Sequence, residues 1–233
     1  MKKMMILAMV AVCGIMASCN KTNVATTEDK PAAENSGISA WALSQQLAAY
    51  GYENESASAL VEAANILLDV VVTEAEGIVS DEKGAANPDE QVKVEKPAVT
   101  VDALLASAIE FGADEAAVEA VRTRQAQIAE MGEGATRGAV GGAHTITDVV
   151  AAHSYEQYYC NFRAHEQAIV VVSGDGDTDL DMYIYDENHN LIDSDTDLSD
   201  QCVCSFTPSW TGRFYMKVVN RGNVYNRFVL ATN

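Results

Sequence analysis

Asp175, Asp177, Asp179 and Asp181 recur at every second residue in the string GDGDTDLDMYIYDENHN, and Asp193, Asp195 and Asp197 repeat the spacing shortly after it. Carboxylates crowded this closely repel one another unless a cation or solvent compensates. In an extended segment alternate residues project to one side; in a loop they can wrap one ion. Hard oxygen ligands with no fixed geometry suit calcium. The expected ligands are Asp177, Asp179, Asp181 and Asp195, with Asp175, Asp193 and Asp197 as further members of the set. The expected role is structural, adding stability by linkage to the folded state. The pattern is not an EF-hand, because counting from Asp175 the sixth position is Leu180 and the twelfth is Asp186. The competing reading of these residues is a solvated acidic loop.

Other residues offer less chemistry. Cys160, Cys202 and Cys204 lie in one half of the chain. One disulfide from Cys160 to Cys202 or Cys204 is one expectation, and three reduced buried thiols are the other. A zinc site is disfavoured by the spacing. His144, His153, His165 and His189 stand in no arrangement with a nucleophile, and no G-x-S-x-G, H-E-x-x-H or P-loop string occurs. Enzymatic activity is therefore not expected. Tyr183 and Tyr185 fall opposite the apolar side of their strand; with Tyr225 and Trp210 they make a candidate ligand-binding surface. The alternative is that these rings pack against each other or against the helices.

The elements that position these residues change character along the chain. From Thr145 the period is two: Tyr158, Cys160 and Phe162 alternate with Tyr159 and Asn161, and Leu180, Met182 and Ile184 alternate with Asp181, Tyr183 and Tyr185. Ala168 to Val172 is a continuous apolar run suited to a buried strand. Cys202, Cys204 and Phe206 share one face, as do Phe214, Met216 and Val218. Glu187 to Asn190 reads as a turn, and Asn220-Arg221-Gly222-Asn223 as a hairpin turn. Seven or eight short strands in residues 145–233 predict an antiparallel β-sandwich.

Upstream, residues 38–131 are rich in Ala, Leu, Val and Glu at helical spacing and predict a small bundle of four helices. Ser39, Ser56 or Ser58, Thr100 and Asp114 are the expected caps. Gly51 and Gly112 are the expected stops, and Val71 is expected to continue the stripe Leu60, Ala64, Leu67. Trp41 is expected in the core. Residues 132–144 are glycine-rich and read as a linker. The fold class is thus α + β in two domains: a helical bundle, then a jelly-roll-like sandwich.

At the start, Lys2 and Lys3 precede an apolar stretch too short to span a bilayer, and Ala17-Ser18-Cys19 follow. This resembles the lipobox of bacterial lipoproteins. The resemblance implies a signal peptide at 1–18, lipidation of Cys19, a polar tether over 19–37, and anchoring in the bacterial cell envelope, at an outer-membrane, periplasmic or surface face. The net charge of −19 argues against nucleic acid as a partner and leaves the lipid anchor as the only membrane contact.

The strings GDGDTDLDMYIYDENHNLIDSDTD, FTPSWTGRFYMKVVNRG and YNRFVLATN together resemble the bacterial pre-peptidase C-terminal domain family over residues 145–233. The resemblance implies a jelly-roll-like sandwich, sometimes calcium-binding, sometimes binding polymers, usually appended to secreted enzymes. His189-Asn190 replaces that family's glycine-containing turn, and no catalytic domain accompanies the sandwich. The expected function is that of a non-catalytic envelope lipoprotein whose calcium-stabilised sandwich binds a glycan, a protein polymer or a partner protein. A structural role without external ligand comes second, and an accessory role in a secreted peptidase or hydrolase system third.

Overall fold

A computed structural model of the chain describes residues 36–70, 72–74, 77–86, 98–131 and 143–233. The signal, Cys19, most of the tether and most of the 132–144 linker lie outside the described residues.

Four helices form as expected: α1 (Ser36–Glu53), α2 (Ala57–Leu67), α3 (Val101–Glu110) and α4 (Glu115–Met131). Thr100 Oγ1 accepts the Ala103 N–H at 3.2 Å, and Asp114 Oδ1 accepts the Ala117 N–H at 3.1 Å, so both caps act where orphan donors need them. Gly112 ends α3 at φ 82°. Its N–H donates to the Ile109 carbonyl and the Ala113 N–H to the Ala108 carbonyl, which is a Schellman motif. α1 starts ahead of Ser39 and runs through Gly51. A Cβ on Gly51 would stand 2.4 Å from Leu60 Cδ2, so this glycine lets α1 approach α2 instead of ending the helix. Leu60, Ala63, Ala64, Leu104, Leu105, Ala108, Val118 and Val121 make the shared helical core.

The β part is a two-sheet sandwich. Sheet A has the order β1-β3-β10-β5-β8 and sheet B the order β2-β4-β9-β6-β7. The strands are β1 (Val72–Glu74), β2 (Val79–Lys83), β3 (Ala143–Val150), β4 (Tyr155–Phe162), β5 (Ala168–Ser173), β6 (Leu180–Asp186), β7 (Leu191–Asp195), β8 (Gln201–Phe206), β9 (Gly212–Asn220) and β10 (Asn226–Thr232). The period-two pattern places Tyr158, Phe162, Leu180, Met182, Ile184, Phe206, Phe214, Met216, Phe228 and Leu230 between the sheets.

Three expectations are corrected here. First, residues 38–131 are not wholly helical. α2 stops at Leu67, and the segment after it supplies β1, parallel to β3 in sheet A, and β2, antiparallel to β4 in sheet B. β2 (VSDEK) is exposed along its whole length and carries no alternating apolar face, so only its pairing partner makes it a strand. Second, the division into a helical and a sandwich domain does not follow the packing. Ile38, Trp41 and Val70 bury themselves against Val171 and Ala231 on the outer side of sheet A, and all fall in one unit, Ala32–Asn233. This explains the uninterrupted apolar run of β5: Val170 and Val172 face the sandwich core while Val171 faces the helices. Third, the Asn220–Asn223 turn is not a hairpin, since β9 lies in sheet B and β10 in sheet A. Asn220 Nδ2 donates to the carbonyls of Val150 and Val224, and these bonds steer the chain across from one sheet to the other.

Lys83 on β2 ties the two sheets along one side. Its ammonium lies 2.9 Å from Asp148 on β3 and 3.2 Å from the buried Glu156 on β4, and the Tyr158 hydroxyl donates to the same Asp148 carboxylate.

Candidate functional site

Five of the seven acidic residues expected to gather round one ion, Asp175, Asp181, Asp193, Asp195 and Asp197, have other partners, while Asp179 Oδ1 is buried without a hydrogen-bond partner. Asp193 and Asp195 point from β7, the edge of sheet B, toward β8, the edge of sheet A. Asp195 Oδ2 accepts the Val203 N–H and Asp193 Oδ2 the Ser205 N–H, both at 2.9 Å. Val203 and Ser205 alternate along an edge whose outward N–H groups have no neighbouring strand among the described residues, so the spacing of two matches one carboxylate to each outward donor. Their second oxygens take the N–H groups of Ser194 and Asp197. Asp197 accepts the Ser199 N–H, and Asp175 accepts the Arg227 N–H at 3.0 Å. Asp181 is taken by the Arg221 guanidinium, 2.6 Å from Nε, and by the Tyr183 hydroxyl at 3.0 Å. Among the described residues, no group of three or more His, Cys, Asp or Glu side chains is arranged to hold a metal ion. The expected calcium ligands are therefore not preassembled. Asp181, Asp193 and Asp195 are committed to an arginine, a tyrosine and backbone donors.

Asp186 shows the same use of a carboxylate. It accepts N–H bonds from Asn188 and Asn190 and from the Asn190 amide, shaping the β6–β7 turn in which His189 sits at φ 60° where the resembled family has glycine.

These environments set opposite acid–base tendencies. Desolvation works against the Asp148 and Asp186 carboxylates, yet bonds from Lys83, Val149 and Tyr158 in one case and from Asn188 and Asn190 in the other hold both below the ordinary 3.8. Burial raises Asp200, Asp179 and Glu156; repulsion from neighbouring carboxylates adds to it at each, Asp181 and Asp197 being the neighbours of Asp179. A depressed carboxylate stabilises the fold above its ordinary value and loses that contribution as pH falls through the folded value. A raised one stabilises below its ordinary value and loses that as pH rises through the shifted one. Thermal melting against pH is thus expected to peak near the ordinary carboxylate value and to decline on both sides, toward stronger acid through Asp148 and Asp186 and toward neutrality through Asp200, Asp179 and Glu156. A melting temperature that climbs steadily from acid to neutral pH would contradict these assignments.

The outer face of sheet B presents a different surface. Val79, Tyr159, Tyr215, Tyr185 and Leu191 are successive cross-strand partners on β2, β4, β9, β6 and β7, and so form one row across all the strands of the sheet. At about 4.8 Å per strand the row is roughly 19 Å long. Val79 is 40% and Leu191 55% exposed, and the three tyrosines are half-buried. A polar row lies beside it: Gln157, Lys217, Tyr183 and Ser194. Tyr159 and Tyr215 meet edge to face at 6.2 Å, His189 stacks on Tyr215 at 5.1 Å, and Tyr183 stacks on Tyr185 at 6.4 Å. Arg213 lies 4.1 Å over the Tyr159 ring and Lys217 lies 3.6 Å over that of Tyr155. Carboxylates hold the surrounding groups: Glu82 takes the Tyr155 hydroxyl, Asp81 the Gln157 amide, and Asp181 pairs with the Arg221 cation. The helices cover sheet A, and among the described residues this face of sheet B carries no such layer.

Of the expected surface residues, Tyr183 and Tyr185 belong to this face. Trp210 does not: it stacks at 5.6 Å on Phe214, which points into the core, and closes one end of the sandwich. Tyr225 lies in the β9–β10 crossover. Tyr155, Tyr159, Tyr215, Arg213 and Lys217 were not among the expected residues, although the inward Phe214, Met216 and Val218 imply that Tyr215 and Lys217 point out.

Cys160, Cys202 and Cys204 are buried and joined by no disulfide in this structure. Desolvation pushes the Cys160 thiol up to about 12 and raises Cys202 as well, and Cys202 Sγ donates to the Leu180 carbonyl. Thiols so held are core side chains, not nucleophiles.

No protein-family profile matches the chain, and no curated protein matches it. Solved structures do. The pre-peptidase C-terminal domain of a collagenase from Bacillus anthracis is similar at 15% identity and a TM-score of 0.32, covering 38% of this chain and 87% of that one. Aeromonas hydrophila PliG, a periplasmic inhibitor of g-type lysozyme, is similar at 12% identity and a TM-score of 0.32, covering 39% and 84%. A family 16 carbohydrate-binding module is similar at 15% identity and a TM-score of 0.25, covering 40% and 75%. The described residues themselves define an α + β protein with a two-sheet β-sandwich.

Proposed function

We propose that this chain is a non-catalytic binding protein of the bacterial cell envelope, held by a lipid on Cys19, whose sandwich binds a polymeric ligand, a glycan before a protein, on the outer face of sheet B. The row Val79–Tyr159–Tyr215–Tyr185–Leu191 carries this reading. Phenol rings offer apolar surface to the C–H faces of sugar rings and hydroxyls to their rims. The neighbouring Gln157, Lys217 and Ser194 add donors and acceptors. The cations of the face are matched by carboxylates or laid over rings, which suits an uncharged chain better than an anionic one. The buried, unreactive thiols support a role without covalent chemistry.

An assembly role is the second reading. It is favoured by the mutual stacking of the same rings, which already satisfies much of their surface.

A glycan array probed with the full chain and with Tyr159→Ala/Tyr215→Ala separates the two. Both side chains point out of the sheet, so the variant is expected to keep its fold. Its affinity for any hit is expected to fall tenfold or more, at about 1 kcal/mol or more for each ring removed. An array without hits, together with a stable oligomer in sedimentation, would replace the binding reading with the assembly one.

A further inference from the structure

The acidic turn carries its own counter-cation. We propose that the Arg221 guanidinium stands in for the metal ion that this cluster of carboxylates would otherwise need, so that the sandwich folds and holds its turn without calcium.

The geometry is a closed ring of three side chains. Asp181 on β6 is almost wholly buried, its side chain 7% exposed, and a buried carboxylate needs both a positive charge and hydrogen bonds. Arg221 supplies the charge, with Nε 2.6 Å and a terminal nitrogen 2.5 Å from the same oxygen. The second contact of that terminal nitrogen is the Tyr183 hydroxyl at 3.0 Å, which in turn donates to Asp181. The main chain holds Arg221 in place independently of its side chain. Its N–H donates to the Asp179 carbonyl at 2.9 Å, and Asn220 Oδ1 accepts the Gly222 N–H at 2.8 Å. A Cβ on Gly222 would stand 2.4 Å from Thr178 Cγ2, so only glycine lets this loop lie so close to the turn.

Asp179 and Asp197 add negative charge nearby, and Arg221 opposes it. A divalent ion would require several carboxylate oxygens to converge on one point. Here Asp193 and Asp195 are turned instead toward the backbone of β8, and Asp181 toward Arg221. Arginine suits the task because its charge persists at every physiological pH and its planar fork can hold two partners at once.

The test is thermal melting of the full chain and of its Arg221→Gln and Arg221→Lys variants, in EDTA and in millimolar calcium chloride. Isothermal titration with calcium alone accompanies it. The unaltered chain is expected to melt at the same temperature in both buffers and to give no calcium heat. Arg221→Gln is expected to melt about 4 °C lower in EDTA and to recover part of that loss in calcium, the ion taking the vacated place. Arg221→Lys is expected to lose less than Arg221→Gln, because the charge remains while the fork is lost. A rise of several degrees in calcium for the unaltered chain would overturn the proposal. So would an Arg221→Gln variant as stable as the parent, or one whose loss calcium leaves untouched. That last result would make Arg221 a packing and hydrogen-bonding residue and no more.

Discussion

Residues 145–233, produced alone, are expected to lose cooperative folding. This segment has its own inner core but lacks three things that the upstream chain supplies. β1 and β2 are missing from the two sheets, leaving β3 and β4 as bare edges. Ile38, Trp41 and Val70 no longer cover Val171 and Ala231, and side chains of this size contribute at most roughly 1.5–3 kcal/mol each on burial. Lys83 is absent, so Asp148 loses its cation and the buried Glu156 has none to replace it. The sum is comparable to the whole stability of an ordinary domain, about 5–15 kcal/mol. Circular dichroism melts and amide dispersion in NMR check this against residues 36–233. A fragment melting cooperatively within a few degrees of the longer chain would show that the helices and the two short strands are accessory.

Replacing Asp193 and Asp195 together by alanine is expected to lower the melting temperature by about 5–10 °C and to cause association that grows with concentration. Each carboxylate accepts an edge N–H of β8 at 2.9 Å. A charged acceptor of a backbone donor is worth roughly 1.5–3 kcal/mol where the donor is sheltered, as at Val203, and less at the exposed Ser205. About 1 kcal/mol shifts the melting point of a chain this long by about 2–4 °C. Once uncapped, β8 offers a row of free donors to another molecule. The Asp193→Asn/Asp195→Asn variant keeps an acceptor oxygen at both places and is expected to retain most of the stability. An asparagine pair as damaging as the alanine pair, or an alanine pair that melts like the parent, would refute the edge-capping role.

Much of the fold is legible in the residues because it depends on local periodicity. A period of two put Leu180, Met182, Ile184, Phe214, Met216 and Val218 on the inner faces, and the structure buries all of them. Thr100 and Asp114 cap the helices they precede, because a side-chain oxygen at that position meets an orphan N–H whatever the surrounding fold. β1 and β2 escaped such reading because β1 has only three residues and the exposed β2 has no apolar side of its own; partners far along the chain make them strands. The hairpin reading of Asn220–Asn223 failed for a related reason. Turn residues specify a reversal of direction but not which sheet receives the next strand.

The candidate site divides along the same line. The residues alone established that carboxylates recur every second position and that tyrosines alternate with core side chains, since both are properties of a backbone that places neighbours on opposite faces. They did not establish what the carboxylates face. Asp193 and Asp195 meet backbone donors because β7 and β8 are the neighbouring edges of two different sheets, and Asp181 meets Arg221 because the β9–β10 crossover passes over the turn. The row across sheet B is likewise a product of register: Tyr159, Tyr215 and Tyr185 lie far apart in sequence and line up only because β4, β9 and β6 pair in that order. Periodicity is a local property of the chain and survives without the fold. The partner of a charge and the neighbour of a ring depend on strand order, which only the packing of the whole molecule decides.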